Sequence, residues 1–267
     1  MRDIDKNIKP ELSITFLGTG GSSGIPEIAC KCPVCISDDH KNKRTRTSIC
    51  IHFKNKNIII DTTPDFRYQV LENKIDHIDA LLYTHHHADH IMGLADVRAF
   101  NFKQKKPIIT FASSKTIEHI KKPFDFVFNA PEELKKYYPQ IDVNIIDGPF
   151  KIDDLTFLPF TVFHGRMPVT AFRFENTAYI TDVNHLPEEV FELLTGLDLL
   201  IIESFQFNRH ISHNSLNEAV SAAKKINARQ TLFTHISHDF DHETIDKKLP
   251  DRINLAYDGL KIIPSEL

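Results

Sequence analysis

The sequence predicts an α/β fold of two packed sheets covered by helices, and three observations predict it. Apolar runs of strand length recur along all 267 residues; these runs dominate early and alternate with helical patterns late; and no linker, low-complexity tract or solenoid-length repeat divides the chain. Buried strands read as short continuous apolar runs, and amphipathic segments between them supply the covering layers. A single domain over 1–267 is the expectation, with 41% hydrophobic residues as ample core.

In chain order, the runs lie at 12–17, 48–53, 58–60, 80–83, 108–111, 143–146, 155–163, 169–174, 178–180, 197–202 and 231–233. Between the second and third, Lys54-Asn55-Lys56-Asn57 has the composition of a hairpin turn. Helical patterns occupy 114–121, 187–194, 216–226 and 243–249, with Pro187 suited to a first helical turn. The polar stretch 121–140, with Pro123, Pro131 and Pro139, reads as an inserted loop or edge element near the functional site.

Composition narrows the function classes. A formal net charge of -4 and a pI near 6.4 argue against a protein that coats nucleic acid or an anionic membrane by bulk charge. Residues 1–10 are charged and lack an apolar core, and no run approaches the ~18 apolar residues of a membrane span. A cytoplasmic protein with no membrane partner is expected.

The chemistry concentrates at His85-x-His87-x-Asp89-His90, directly after the run 80–83. Packing does not call for such a cluster, and desolvating it without a cation would be costly. Residues just past a strand stay near-extended, so His85 and His87 point the same way and can grip one ion. Asp89 is placed to cap a helix running from His90 through Met92, Leu94 and Val97, which aims Asp89 and His90 at a neighbouring point. Two adjacent metals follow from that geometry. His86 points away and is given a structural or supporting role, with hydrogen bonds to nearby backbone. Three further residues repeat the strand-end placement of His85: His164, Asp182 and His235.

Of the four cysteines, Cys30, Cys32 and Cys35 fall within six residues, the spacing of thiolates that share one zinc. Cys50 sits inside an apolar run and reads as an inert buried thiol.

The assembled order, His85-x-His87-x-Asp89-His90, His164, Asp182 and His235, resembles the metallo-β-lactamase superfamily over nearly the whole chain. The resemblance implies a four-layer αββα sandwich. It implies that His85, His87 and His164 hold one metal, Asp89, His90 and His235 a second, and Asp182 bridges them. A bridging carboxylate keeps two cations at the ~3.5–4 Å suited to sharing a hydroxide nucleophile. Zinc, manganese and iron all suit such ligands. Asp61, after the run 58–60, matches that superfamily's supporting aspartate.

Within the superfamily, the stretch from Leu17 through Gly18-Thr19-Gly20-Gly21-Ser22-Ser23-Gly24 to Pro26, followed by the three cysteines, is similar to the phosphoribosyl 1,2-cyclic phosphate phosphodiesterases of the carbon-phosphorus lyase pathway. That family implies a structural zinc on Cys30, Cys32, Cys35 and His238. Such a clip would close a chain loop of roughly 200 residues, a constraint worth on the order of 5 kcal/mol by chain-entropy scaling. The same likeness implies His213 as general acid, with His210 its rival, and a homodimer. Asn214 or Ser215 would cap the following helix. The glycines read as backbone freedom, with a substrate-facing role for Ser22 and Ser23 as a minor expectation.

The expected function is a dimetal hydrolase cleaving a small or cyclic phosphodiester through a metal-bridging hydroxide, with Asp89, Asp182 and His213 at the chemistry. Two readings stand behind it. A tRNA 3′-end endoribonuclease carries a similar metal set, but only 41–46 and 103–106 offer basic runs here. A pyrroloquinoline-quinone biosynthetic relative is similar in its cysteine motif but departs at the metal ligands. A metal-bound interaction module without turnover is the remaining alternative.

Overall fold

Successive residues of a strand face opposite ways, and here both faces are apolar. In β3 (Lys56–Ile60), Ile58 and Ile60 turn one way and Ile59 the other, all three fully buried. Each such side chain contributes roughly 1.5–3 kcal/mol on burial, so a strand of this composition needs a layer on each side. The computed structural model, which describes residues 12–267, supplies those layers.

The first sheet contains β1 (Leu12–Gly18), β2 (Ser48–Phe53), β3, β4 (Ala80–Leu82), β5 (Ile108–Ala112) and β6 (Ile141–Ile145). The second contains β7 (Phe150–Ile152), β8 (Leu155–His164), β9 (Met167–Phe174), β10 (Thr177–Ile180), β11 (Leu199–Glu203), β12 (Gln230–Thr234) and β13 (Ile253–Leu255). The chain then returns to the first sheet with β14 (Lys261–Ile262), giving the orders β14-β1-β2-β3-β4-β5-β6 and β13-β12-β11-β10-β9-β8-β7. Each sheet is antiparallel at one end and parallel at the other: β3 to β6 run parallel, as do β10 to β13.

The inner faces meet in a core that includes Ile14, Phe16 and Ile51 from one sheet and Phe157, Phe172 and Ile201 from the other. Outside the first sheet lie α2 (Phe66–Glu72), α4 (Arg98–Gln104), α5 (Ser114–Lys121) and α6 (Asp125–Phe128); between them in sequence comes α3 (Ala88–Ile91), and before them α1 (Pro33–Ile36). Outside the second lie α7 (Val190–Leu193), α8 (Leu216–Ile226) and α9 (His242–Asp246). The predicted αββα sandwich is the observed architecture.

Helix α8 starts where Ser215, not Asn214, caps it: Ser215 Oγ accepts the Glu218 N–H at 3.4 Å, and Glu218 Oε2 accepts the Ser215 N–H at 3.0 Å. Such a reciprocal box is worth about 1 kcal/mol and fixes the loop before it, which carries His213.

Several expectations need correction. The pattern from His90 to Val97 is not one helix: α3 starts at Ala88 with His87 in the capping position, a 3-10 turn follows over Met92–Val97, and α4 begins at Arg98. Asp89 therefore lies inside the first turn and caps nothing. Of the tetrapeptide read as a hairpin turn, only Lys54 and Asn55 turn; Lys56 and Asn57 pair within β3 opposite Phe53 and His52. The stretch 121–140 is not only loop: it contains α6 and buries Phe124, with Val127 and Phe128 packed beside it, in the core outside the first sheet. The reading of residues 1–10 falls outside the described residues. Among the described residues no helix is long and apolar enough to cross a membrane.

Candidate metal-dependent active site

Parallel strands end together, and the groups that follow them converge at one sheet edge. Asp61 follows β3, His85 lies just past β4, Asp182 just past β10, and His235 directly after β12, while Glu203 ends β11 and His164 ends β8. Three of these residues leave their strands in the left-handed region, with φ of 65° at Asp61, 51° at Asp182 and 54° at His235. Each such non-glycine conformation costs of order 1–2 kcal/mol and turns the side chain sharply off the strand line.

The result is a buried donor cluster. Asp182 stands at its centre: Oδ1 lies 3.1 Å from His90 Nε2 and 3.4 Å from His235 Nε2, and Oδ2 lies 3.7 Å from His85 Nε2. Asp89 Oδ2 closes one side, 3.3 Å from His90 Nε2 and 3.7 Å from His235 Nε2. His85, His87 and Asp182 bring ligand atoms within 4.8 Å of one another, and so do Asp89, His90, Asp182 and His235. His164 joins Asp182 and His213 on the same criterion. Every predicted dimetal ligand is thus drawn to one place, with Asp182 facing both groups.

Whether the cluster suits metal can be read from its unpaired atoms. His85 Nε2, His90 Nε2 and His235 Nε2 are buried and have no hydrogen-bond partner among the described residues. Buried polar atoms left in this way are destabilising, and cations accepting imidazole nitrogens would satisfy all three. On His85 and His90, and on His164 beside them, the Nδ1 atom is held, whereas His235 Nδ1 makes no hydrogen bond among the described residues. His90 Nδ1 lies 2.8 Å from Asp61 Oδ2, His85 Nδ1 3.0 Å from Thr84 Oγ1, and His164 Nδ1 2.6 Å from the Ser212 carbonyl. Asp61 also accepts the Thr84 N–H at 2.9 Å and the Thr84 hydroxyl at 2.7 Å. Fixing one imidazole nitrogen selects the tautomer that presents the other to a metal.

Electrostatics divides the cluster. Burial disfavours ionised Asp182, but His235, His90 and His85 outweigh it and hold the carboxyl well below its usual range. Burial likewise opposes a charged His235, yet Asp182 and Glu203 push it up to about 10. His85, with burial and His90 both against its charge, is held well below the ordinary histidine value. Asp182 thus stays anionic and His85 neutral, while Asp182 and its fellow carboxylates hold His90 and His235 protonated; a divalent cation on their Nε2 atoms would take the place of those protons.

Glu203 is the functional-site residue that the sequence reading missed. It is fully buried, with Oε1 2.5 Å from His213 Nδ1 and 3.0 Å from His235 Nδ1, and its other oxygen accepts the Val183 N–H. Burial raises its pKa, but His213 and His235 more than reverse the shift and keep it below the usual range. The one local signal is weak: Glu203 directly follows the apolar run 197–202, as His164 follows the run 155–163. His213 packs its ring 4.3 Å from His164 and 5.1 Å from His235, while His210 Nδ1 only accepts from Ser212, at 3.3 Å. Of the two rival histidines, only His213 has a buried carboxylate behind it.

His86 departs from its expected bond to backbone. Its ring stacks on His119 instead, centroids 3.9 Å apart at 20°. Cys50 is buried as expected, and burial pushes its thiol far up.

A second donor set lies beside the first. Cys30, Cys32 and Cys35 place their sulfurs 3.3, 3.7 and 3.5 Å from His238 Nδ1. Those separations fit the edges of a tetrahedron around zinc with ~2.3 Å sulfur and ~2.0 Å nitrogen bonds. Donation from the Cys35 backbone N–H helps lower the Cys32 thiol to about 7, whereas burial raises Cys35 to about 11. The glycine-rich loop passes between the two sets. A Cβ on Gly18 would lie 2.0 Å from the Arg46 carbonyl, and one on Gly21 would lie 2.7 Å from Phe205 Cε2, so close approach excludes side chains there.

Comparison with known proteins agrees with this geometry. A crystal structure of a new diphosphatase from the PhnP family superposes with a TM-score of 0.88 at 38% identity, covering 94% of this chain and 96% of that one. An octanoyltransferase of Porphyromonas gingivalis is 34% identical over 259 residues, 94% of this chain but 51% of that protein, so the chain spans about half its length. Zinc-bound PqqB from Methylobacterium extorquens shares the fold, with a TM-score of 0.76 at 18% identity over 94% of this chain and 99% of that one. The model of the beta-lactamase superfamily domain matches residues 56–236, which span His85 through His235. On this match and this fold, the chain belongs to the metallo-β-lactamase superfamily.

Proposed function

We propose that the chain is a phosphodiesterase acting on a small or cyclic phosphodiester. His85, His87 and His164 would hold one divalent cation, Asp89, His90 and His235 a second, and Asp182 would bridge them; zinc, manganese and iron all suit these donors. Cys30, Cys32, Cys35 and His238 would hold a structural zinc. When bound, the cation pair supplies activated water and neutralises phosphoryl oxygens.

The observation that carries the reading is the buried Glu203 carboxylate 2.5 Å from His213 Nδ1, beside the ligand cluster. It fixes the ring so that Nε2 is the nitrogen left for proton transfer. As water adds to phosphorus and the bond to the leaving oxygen breaks, that oxygen takes the Nε2 proton. Products are a phosphomonoester and an alcohol, and solvent restores the proton. Asp61, Thr84 and the Ser212 carbonyl keep the neighbouring imidazoles oriented throughout.

A second reading, hydrolysis of a diphosphate linkage, is favoured by the name of the 38% identical structure, a diphosphatase. Its leaving phosphate is already acidic and would lean less on His213. The test is a substrate screen of the metal-loaded protein with bis(p-nitrophenyl) phosphate, 2′,3′-cyclic nucleotides, phosphoribosyl cyclic phosphate, a dinucleoside diphosphate, precursor tRNA and a thioester. Turnover of small diesters supports the proposal. Cleavage confined to the diphosphate supports the second reading, and cleavage confined to precursor tRNA or the thioester overturns both.

A further inference from the structure

Between the glycine-rich loop and the segment His235-Ile236-Ser237-His238 lies a cavity of about 170 Å³. It adjoins the ligand cluster through Phe205, whose ring is 4.6 Å from His213 and 5.7 Å from His235. Gly21 completes the shared wall: a Cβ there would sit against Phe205 and 3.6 Å from His235 Cε1. A group leaving phosphorus under the general acid departs on the His213 side, and this cavity is next to it.

The lining is rich in acceptors and carries no lysine or arginine. Ser23 and Asp239 stand exposed at its rim and make no side-chain hydrogen bond among the described residues, and Gln206 spends its Nε2 on the Asn208 carbonyl, leaving Oε1 free. Glu27 belongs to the same lining, with Oε2 3.2 Å from His238 Nε2. Two carboxylates and two amide or hydroxyl oxygens attract O–H donors and repel anions.

We propose that this cavity is the leaving-group subsite, and that Glu27 and Asp239 make it select an uncharged, hydroxyl-bearing alcohol over one that carries a phosphate of its own. The inference rests on the phosphodiesterase reading above. It also gives the cysteine cluster a second consequence, because His238, which faces the three sulfurs, positions Glu27.

The test uses the full metal-loaded chain and two diesters, methyl glyceryl phosphate and the same compound with a second phosphate on the glycerol, followed by phosphorus NMR. The expected kcat/KM is at least about 10-fold higher for the uncharged glycerol, and Asp239→Asn and Glu27→Gln each narrow that ratio several-fold by raising kcat/KM for the phosphorylated one. Equal kcat/KM for the two diesters, or a ratio unchanged in both variants, overturns the subsite while leaving the phosphodiesterase reading intact. Binding of the same diesters to the His213→Ala protein, read by saturation-transfer NMR, separates the remaining case. Preferential binding of the diester with the unphosphorylated glycerol that Asp239→Asn abolishes, without cleavage by the unaltered chain, sinks the phosphodiesterase reading and with it the leaving-group role; no preference in binding overturns the subsite while leaving that reading intact.

Discussion

Buried Glu203 and half-buried His213 form an acid–imidazole pair, Oε1 to Nδ1 at 2.5 Å, and the same oxygen lies 3.0 Å from Nδ1 of His235. One carboxylate thus orients both the proposed proton donor and a proposed metal ligand. Position and charge in the two roles are coupled: neither ring can turn without disturbing the other's partner.

Replacing Glu203 with glutamine keeps the volume but removes the charge and one acceptor. Turnover should fall by about 10- to 100-fold, with weaker retention of the cation held by His235. Steady-state kinetics beside metal analysis checks this; full activity at full metal content would show that the carboxylate orients nothing that matters.

Asp61 can be tested with asparagine, which tolerates the left-handed backbone that alanine would not. Loss of the negative acceptor behind His90 Nδ1 should weaken metal affinity by about 10- to 100-fold. Competition against a chelator measures the change.

His213→Ala should retain the active-site metals, because the ligand set stays complete without it. Hydrolysis of alkyl diesters should drop by about 10²–10⁴-fold, and of p-nitrophenyl diesters by much less, since that leaving group needs no proton. Equal losses on both would remove His213 from the role.

Cys32→Ser opens the second donor set, which joins residues 208 positions apart. Zinc content should fall by one equivalent. The melting temperature should drop on the order of 10 °C if the chain-entropy constraint of ~5 kcal/mol is even partly realised. Unchanged zinc and melting temperature would leave the cysteines as free thiols.

Much of this centre could be read from residue order because ligand types followed apolar runs. His85, Asp182 and His235 each sit where a strand stops, and a strand's end is marked by the loss of apolar residues. Glu203 escaped because a lone glutamate after isoleucines looks like any solvated strand end, and nothing local announces two histidines waiting across the sheet. β7 and β13, with three residues each, and β14, with two, were too short to register as runs; they exist because neighbouring strands offer them partners. The break of the helix after Ile91 had a tertiary cause as well. Gly93 donates to the Thr62 carbonyl at 2.9 Å, and a Cβ on it would lie 2.1 Å from the Thr63 carbonyl, so the turn is pressed against the loop behind Asp61.

Asp61, Asp182 and His235 all stand in left-handed backbone, where glycine would rest without strain. At Asp61 the strain is offset by three buried hydrogen bonds that glycine would strand, whereas at Asp182 and His235 glycine would relax the chain and release a buried charge or an unpaired nitrogen. Selection for heat tolerance alone would therefore be drawn to Asp182 and His235, towards proteins that keep both sheets and hold no metal, so any effort to harden this chain begins by fixing those two residues in place.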